Sequence, residues 1–158
     1  MYRIIRLLKL FKNQKIKLLI IGDGSNTENL RKKANKFKVD NKIIFIGKTN
    51  DVSKYLSASD LFLFPSKYEG MGISAIEAQY ASLKVIASDR IPSITDIGEN
   101  LIEYLPLNLN VWKKKLEEII AITITRRRVD NNLFDCHQII KTVEEEYIKA
   151  FDKINITR

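Results

Sequence analysis

Short apolar runs recur along this chain, each followed by a turn and then by a helical pattern, and this repetition constrains the fold more than any other feature. Strands that alternate with helices are typical of parallel α/β architecture. The runs are nearly continuously apolar rather than alternating, as strands buried on both faces require. We therefore predict an α/β fold in which a parallel sheet is flanked by helices on both faces. The predicted strands are KLLIIG at 17–22, KIIFIG at 42–47, DLFLFP at 60–65, KVIAS at 84–88 and LIEYLP at 101–106.

Three further stretches have the apolar spacing of helices with one buried face. They span residues 26–38, 111–122 and 129–154, and the last is predicted to be one long C-terminal helix. Trp112 is expected to anchor the first turn of the second helix. A chain of 158 residues without a flexible linker is expected to form a single domain, residues 1–158. The residues predicted to face inward are Leu30, Ala34 and Phe37 in the first helix, Val111, Leu116, Ile119 and Ile120 in the second, and Ile140, Val143, Tyr147, Ile148 and Phe151 in the third.

Several classes of protein do not fit this sequence. No stretch reaches the roughly 20 uninterrupted apolar residues of a membrane-spanning helix. Residues 1–12 are basic and apolar, but they lack the long apolar run and the cleavage site of a secretory signal, so we expect a cytoplasmic protein. The lone Cys136 and the lone His137 have no partner at a disulfide or metal-ligand spacing, and we interpret both as structural.

The net charge of +8 favours an acidic partner, which could be nucleic acid, anionic lipid headgroups or the pyrophosphate of a nucleotide sugar. Charge alone does not choose among these partners, because a solvated, lysine-rich surface would give the same total. We interpret Lys113–Lys115 as part of such a surface. Arg126–Arg128 lacks interleaved aromatic residues for stacking on bases, so no nucleic-acid partner is expected.

Two loops that follow predicted strands are candidate binding sites, because ligands of open parallel sheets bind at the carboxyl ends of the strands. The first loop is Gly22-Asp23-Gly24-Ser25, in which glycines allow a tight turn and the close approach of a ligand to backbone amides. A short glycine turn after a strand is also commonplace. A purely structural role therefore stays open as the alternative for this loop.

The second loop, Pro65 to Gly72, leads into a helical pattern at 73–79. Glycines just before a helix leave its first backbone N–H groups open to an anion, which the helix dipole also favours. A pyrophosphate could therefore dock at Gly72–Ser74. Glu77 lies one to two turns inside the helix, where its carboxylate could accept hydrogen bonds from ribose hydroxyls, and Glu69 lies in the loop. The alternative is that both glutamates are merely solvated.

The string PSKYEGMGISAIEAQ, in which seven residues separate Glu69 from Glu77, resembles the Glu-x7-Glu motif of the retaining glycosyltransferases of family 4. LLIIGDG, NKIIFIGKTNDVSKYLSASDLFLFPS and EAQYASLKVIASD follow the order and spacing of that family's C-terminal domain. RIPSITDIGENLIEYLPLNLNVWKKKLEEI is similar to the bacterial exopolysaccharide and capsule branch. The resemblance covers roughly residues 5–150. It implies a GT-B glycosyltransferase with two facing Rossmann-like halves, of which this chain would be the C-terminal half that binds the nucleotide sugar.

Carried over position by position, the resemblance assigns the transferred sugar to Glu69, the phosphates to Gly72–Ser74 and the ribose to Glu77. Gly22–Gly24 and the loop 47–52 would flank the nucleotide. Backbone amides and the helix dipole would stabilise the departing diphosphate, without a metal or a cofactor. A UDP-sugar is the first expectation for the donor, and a GDP-sugar is the second. The predicted site residues are Glu69 for catalysis and Gly22, Asp23, Gly24, Gly70, Met71, Gly72, Ile73, Ser74 and Glu77 for substrate binding.

Two parts of the family's pattern are missing from this sequence. One is the whole N-terminal acceptor domain, and the other is the first strand of the C-terminal domain, whose loop carries the Arg and Lys that clamp the pyrophosphate. Arg3, Arg6 and Lys9 lie on a predicted helix, 2–12, so the clamp is not transferred to them. In the family's strand order, 3-2-1-4-5-6, the missing strand is central. The five remaining strands must close the gap, borrow a strand from another chain, or leave unpaired backbone.

These absences lead us to expect little or no sugar transfer by the chain alone. A protein that supplies the N-terminal half, or a second copy of this chain, would be its partner. Peripheral contact with the inner face of the cell membrane is also expected, because lipid-linked acceptors lie there. The alternative function is a non-catalytic nucleotide-binding module, which would bind nucleotide but transfer no sugar under any pairing.

Overall fold

The computed structural model describes residues 2–11 and 13–122, which lie in one compact unit, Met1–Arg126. The predicted C-terminal helix, 129–154, with its inward-facing residues, lies outside the described residues, as do Cys136, His137 and Arg126–Arg128. The helices are α1 Tyr2–Leu8, α2 Thr27–Phe37, α3 Val52–Ser57, α4 Ile73–Tyr80 and α5 Leu109–Ala121, with 3-10 turns at Lys9–Phe11, Asp40–Lys42 and Ser93–Thr95. The strands are β1 Leu18–Ile21, β2 Ile43–Gly47, β3 Leu61–Phe64, β4 Lys84–Ser88 and β5 Ile102–Leu105.

All five predicted strands form, and every pairing among them is parallel. They do not form one sheet, because β1 pairs with β2 and the other three strands form a separate sheet in the order β3-β4-β5. This arrangement is what the order 3-2-1-4-5-6 leaves when its central strand is removed. Within residues 2–11 and 13–122, no strand is hydrogen-bonded to the free edge of β1 or of β3. Of the three outcomes expected for the five strands, the described residues show unpaired backbone at the facing edges of β1 and β3.

The three-stranded sheet is covered on both faces, as predicted. Side chains of successive residues point to opposite faces of a strand, so Ile86 and its neighbour Val85 enter different cores. Ile86 packs with Trp112 of α5 and with residues of α1. Val85 packs with Ala75 and with other residues of α4 on the opposite face. The near-continuous apolar character of these strands follows from this two-sided burial.

One face of the two-stranded sheet packs against α1 and α2. Ile20 and Ile43 form a core with Ile5 of α1 and Ala34 of α2. On the other face, Ile44 is 43% exposed. The predicted parallel architecture with flanking helices is confirmed, and Ile44 is the exposed apolar residue on this second face.

The two predicted amphipathic helices both form. In α2, Ala34 is fully buried while Leu30 and Phe37 are half-buried, so the predicted stripe faces the core. In α5, the inward prediction is confirmed for the buried Leu116 and Ile119 and for the half-buried Ile120.

The inward prediction for Val111 is wrong, since its side chain is 37% exposed. Trp112 takes the buried position instead, because neighbouring residues of a helix lie about 100° apart around its axis. The indole N–H of Trp112 donates a hydrogen bond of 2.9 Å to the Pro106 carbonyl, which confirms its anchoring role. The predicted solvated face at Lys113–Lys115 carries ion pairs, and the hydrogen bond from Lys115 to Glu103 raises the pKa of that lysine.

Candidate functional site

The loop between β3 and α4 is built around one glycine. Gly72 has a φ of 72°, a left-handed conformation that residues with a side chain adopt only with strain. A Cβ atom at this position would lie 3.0 Å from Oγ1 of Thr95 and 3.3 Å from Cε1 of Phe64. Gly72 is therefore required both for the turn of the backbone and for its close packing. It caps α4, since its carbonyl accepts a hydrogen bond of 2.9 Å from the amide of Ala75.

Two buried polar residues that sequence reasoning did not single out hold this loop. Thr95 and Gln79 are both fully buried. The Thr95 hydroxyl donates a hydrogen bond of 2.9 Å to the Met71 carbonyl. The Gln79 amide donates to the Thr95 carbonyl at 2.7 Å and to the Ala75 carbonyl at 3.0 Å. The signal in the sequence was a single polar residue, Gln79, next to the apolar face of α4. Its partner Thr95 lies 16 residues away in a 3-10 turn, so no local pattern could pair them.

The first turn of α4 offers free backbone amides. The N–H groups of Ile73 and Ser74 have no acceptor among the described residues, and the residue that caps the helix, Gly72, has no side chain to supply one. Ile73 is 62% exposed and Ser74 is also exposed, so a ligand can reach both amides. No acidic residue occupies this first turn. These amides and the positive end of the helix dipole can together hold an anion.

The two predicted glutamates lie in different environments. Glu69 is half-buried, and the hydroxyl of Ser66 donates a hydrogen bond of 2.5 Å to its Oε1 atom. Ser66, which sequence reasoning did not single out, therefore orients this carboxylate. Glu77 is exposed on α4. Neither glutamate forms an ion pair within the part of the chain that the structure describes, so both carboxylates can accept hydrogen bonds from a ligand.

The loop after β1 has a well-defined structural role. Gly22 has a φ of 105°, and its amide donates a hydrogen bond of 2.8 Å to the Gly47 carbonyl, which ties the ends of β1 and β2 together. Asp23 accepts hydrogen bonds from the Gly24 amide at 2.9 Å and from the Thr27 hydroxyl at 3.3 Å. These contacts support the structural alternative for Asp23. Gly22, Asp23 and Gly24 are nevertheless exposed at the carboxyl end of their strand.

The loop 47–52 ends in a helix cap. Asp51 accepts a hydrogen bond of 3.2 Å from the Lys54 amide and another of 2.9 Å from the Ser53 hydroxyl, and α3 begins directly after it. This loop and the turn at 22–24 follow the paired strands β1 and β2, whereas residues 65–74 follow β3 of the other sheet. The predicted site is thus distributed over loops that follow strands of two separate sheets.

Arg3 and Arg6 lie on α1, and Lys9 lies in the 3-10 turn that follows it, so none occupies a loop after a strand, as predicted. Arg3 donates a hydrogen bond to the carbonyl of Leu107. Among the described residues, no three His, Cys, Asp or Glu side chains are grouped as a metal ion would require. No helix in the described ranges is both long enough and apolar enough to span a membrane.

Comparison with known proteins gives a consistent result. The family described as glycosyl transferases group 1 matches residues 1–133. The amylovoran biosynthesis glycosyltransferase AmsD of Erwinia amylovora is 34% identical over 87 residues, which cover 53% of this chain and 25% of that protein. The UDP-Gal:alpha-D-GlcNAc-diphosphoundecaprenol alpha-1,3-galactosyltransferase of Escherichia coli is 25% identical over 134 residues, which cover 80% of this chain and 34% of that protein. The chain thus spans between a quarter and about a third of the length of these relatives.

A solved structure is similar in fold. It is a mutant of S. aureus TarM in complex with Fondaparinux, alpha-GlcNAc-glycerol and UDP, which superimposes with a TM-score of 0.67 at 24% sequence identity. The match covers 76% of this chain and 25% of that chain.

Proposed function

The chain belongs to the glycosyl transferases group 1 family, and on that premise we propose that it binds a nucleotide sugar as the donor-binding part of a retaining glycosyltransferase. The resemblance to GT-B glycosyltransferases of bacterial polysaccharide synthesis and the α/β fold are both confirmed by the comparisons. We propose in addition where the donor binds, which residues bind it, and that a further protein completes the enzyme.

One observation carries the proposal. The loop after β3 ends at a left-handed glycine, Gly72, and the helix that follows it presents the free amides of Ile73 and Ser74. In the sequence, Glu69 precedes these amides and Glu77 follows them. Amides at a helix N-terminus suit phosphate oxygens, whereas carboxylates suit sugar hydroxyls. A nucleotide sugar carries both kinds of group. Its diphosphate would lie at Gly72–Ser74.

The remaining contacts follow from this placement. Glu77, exposed on α4, would accept hydrogen bonds from the ribose hydroxyls. Glu69, oriented by Ser66, would contact the transferred sugar. Gly70 and Met71 would line the donor between Glu69 and the phosphates, and Gly22–Gly24 would flank the nucleotide.

The chemistry needs electrostatic stabilisation more than acid–base catalysis. When the glycosidic bond to the leaving group breaks, negative charge grows on the nucleoside diphosphate. The amides of Ile73 and Ser74 are already oriented and would stabilise that charge without reorganisation. This scheme uses no metal and no cofactor.

The names of two similar proteins support the choice of donor and acceptor. One E. coli relative is named for UDP-Gal and a diphosphoundecaprenol acceptor, and the TarM structure contains UDP. We therefore propose a UDP-sugar as the donor, with a GDP-sugar second, and a polysaccharide or lipid-linked acceptor. The net charge of +8 would assist peripheral association with an anionic membrane on the cytoplasmic side.

Sugar transfer should require residues that a second protein chain supplies. We propose that an acceptor-binding protein or a second copy of this chain completes the enzyme, and that the chain alone transfers little or no sugar. Among the residues that the structure describes, no strand pairs with the facing edges of β1 and β3, which supports this part of the proposal because unpaired strand edges readily accept another strand. Light scattering on the purified chain tests the second-copy alternative directly, since a strictly monomeric mass at all concentrations excludes it.

Transfer is tested by incubating the chain with a UDP-sugar, a lipid-linked acceptor and a protein that supplies an N-terminal acceptor half, and by following the product by mass spectrometry. The proposal expects product only from the combination, and expects Glu69→Gln to abolish it. Product with retained anomeric configuration supports the retaining mechanism. UDP binding without transfer in any combination would instead favour a non-catalytic nucleotide-binding module.

A further inference from the structure

The net positive charge of this chain is concentrated in residues 1–38. This segment contains eleven basic and two acidic residues, whereas residues 39–158 contain 16 basic and 17 acidic residues. The excess of +8 therefore comes entirely from the first segment. In the fold, the segment supplies α1, β1 and α2. A charge distribution this uneven favours an acidic partner that meets one side of the protein.

α1 has one buried side and one basic side. Its four buried residues pack into the cores beneath the two sheets. On the outer side, Arg6 lies four residues after Tyr2 and four before Leu10, and Lys9 lies three residues after Arg6. Residues three or four apart are neighbours on one side of a helix. All four are exposed, so α1 and the 3-10 turn after it present cations together with apolar groups.

α2 continues this surface. The ring of Phe37 lies 6.2 Å from the ring of Tyr2, measured between centroids. The Nζ atom of Lys33 lies 3.9 Å from the centroid of the Tyr2 ring, and the Nζ atom of Lys9 lies 5.9 Å from the centroid of the Phe37 ring. Each helix thus places a cation over a ring of the other, which stabilises their packing. The exposed Lys36 lies next to Phe37 in the sequence.

The protein does not neutralise this surface, which we call the α1–α2 face. None of its four cations forms an ion pair within the described ranges. α1 contains no acidic residue, and α2 contains only Glu28. Glu28 lies five residues before Lys33, which places the two about 140° apart around the helix axis. The residues of the α1–α2 face are Tyr2, Arg6, Lys9, Leu10, Lys33 and Lys36.

The chemistry of the α1–α2 face suits an anionic lipid bilayer. Each Lys or Arg close to such a bilayer strengthens binding by roughly fivefold. Tyr2 is 42% exposed and Leu10 is 48% exposed. A tyrosine ring fits the level of the lipid headgroups, and an exposed leucine can enter the boundary with the acyl chains. Nucleic acid fits less well, because Lys33 covers the ring of Tyr2 and Phe37 is half-buried, which leaves little ring surface for stacking on bases.

We propose that the α1–α2 face docks this protein on an anionic lipid bilayer. The lipid phosphates meet its four cations, and Leu10 enters the headgroup region. The inference rests on the membrane association included in the proposed function, and it names the surface responsible. α1 and α4 pack on opposite faces of the three-stranded sheet. Docking through α1 therefore leaves α4 and its free amides open to the donor.

The test of the cations uses the full 158-residue chain and vesicles of phosphatidylcholine with or without phosphatidylglycerol. Binding is measured by co-sedimentation for the wild type, the double variant R6Q/K36Q and the control K48Q/K54Q. All four substituted side chains are exposed and form no ion pair among the described residues. The control lysines lie in and just before α3, whose Leu56 packs on the face of the sheet opposite to α1. Unfolding midpoints establish that the three proteins are equally folded.

We expect the wild type to bind vesicles that contain phosphatidylglycerol and not those of phosphatidylcholine alone. R6Q/K36Q should weaken this binding by at least about tenfold, since two cations near the bilayer are lost. The control should weaken it by less than about threefold, because charges farther than about 8 Å from the bilayer are largely screened at physiological ionic strength. Equal losses in the two double variants would reduce the effect to general charge and overturn the proposal. A folded wild type that binds no anionic vesicle would overturn it as well.

The apolar contact is tested by comparing Leu10→Ser with Ile94→Ser. Ile94 is 54% exposed, and its neighbour Thr95 is hydrogen-bonded to Gln79 of α4, on the other side of the sheet. We expect Leu10→Ser to weaken vesicle binding by about threefold or more and Ile94→Ser to leave it unchanged. Equal binding by both variants would contradict the insertion of Leu10.

Two further measurements separate this surface from other sites. Binding of a DNA duplex by a wild type that binds no anionic vesicle would assign the α1–α2 face to nucleic acid and refute the proposal. UDP affinity in R6Q/K36Q should equal that of the wild type. A wild type that binds anionic vesicles through this face but binds no UDP would support the docking surface and refute the donor site, so the two failures are distinguishable.

Discussion

Replacing Gly72 with alanine should destabilise the protein more than an equivalent change at another glycine. The residue has a φ of 72°, and a left-handed conformation costs an alanine about 1–2 kcal/mol. The added methyl group would also lie 3.0 Å from Thr95 and 3.3 Å from Phe64, and overpacking of this kind costs about 1–3 kcal/mol. We therefore expect G72A to lower the free energy of unfolding by about 2–5 kcal/mol.

Two other glycines separate these contributions. Gly98 has a φ of 86° but no atom within 4 Å of an added Cβ, so G98A should show the conformational cost alone, about 1–2 kcal/mol. Gly70 has neither constraint, so G70A should change stability by less than about 1 kcal/mol and in the stabilising direction. Urea unfolding of the three variants, followed by far-UV circular dichroism, measures all three effects. A loss in G72A no larger than that in G98A would refute the close packing inferred between Gly72 and Thr95.

Two further substitutions test the polar groups around the site. Thr95→Val keeps the shape of the side chain but removes the hydrogen bond to the Met71 carbonyl. We therefore expect it to lower the free energy of unfolding in urea by about 1–3 kcal/mol and to weaken UDP binding. An unchanged free energy of unfolding and an unchanged UDP affinity would show that Thr95 does not hold the loop. The buried hydroxyl of Tyr104 has no hydrogen-bond partner among the described residues, so Tyr104→Phe should be neutral or stabilising by up to about 1 kcal/mol at pH 7. Burial, with the nearby Asp96 charge, raises the pKa of Tyr104 above its ordinary value of 10.0. The neutral phenol is therefore favoured in the folded state, so the wild type should lose stability as the pH rises above about 10. Tyr104→Phe should lose less stability over the same range. Parallel profiles of unfolding free energy against pH for the two proteins would contradict this.

The sequence predicted the strands well because their burial leaves a local signal. Runs such as 84–88 are apolar on both faces, and all five form strands within a residue or two of the predicted bounds. The strand order of the resembled family predicted a gap between β1 and β3 but left three outcomes open, and the division into two sheets is the one that the described residues show. The inward prediction for Val111 failed because five residues separate it from Leu116, which places the two about 140° apart around the helix axis, whereas Trp112 is four residues from Leu116 and lies on the buried stripe.

The site was predictable only where its residues are consecutive. Glu69, Gly72 and Glu77 belong to one motif, and the structure keeps them on one loop and the helix that follows it. Thr95 is brought to the site by tertiary packing, which a single sequence does not specify. Asp23 illustrates the opposite case, because a position predicted for substrate binding also forms local hydrogen bonds that shape the turn.

The central claim is that α4 and its preceding loop bind a nucleotide, and calorimetric titration of the full chain with UDP and GDP tests it most directly. The matched pair of variants is Glu77→Ala and Glu99→Ala, since both glutamates are exposed and neither forms an ion pair among the described residues. We predict that UDP binds the wild type and Glu99→Ala equally, and that Glu77→Ala weakens binding by about 10-fold to 100-fold through the loss of charge-assisted hydrogen bonds to the ribose. A folded wild type that binds neither nucleotide, or equal affinity in Glu77→Ala, would contradict the account.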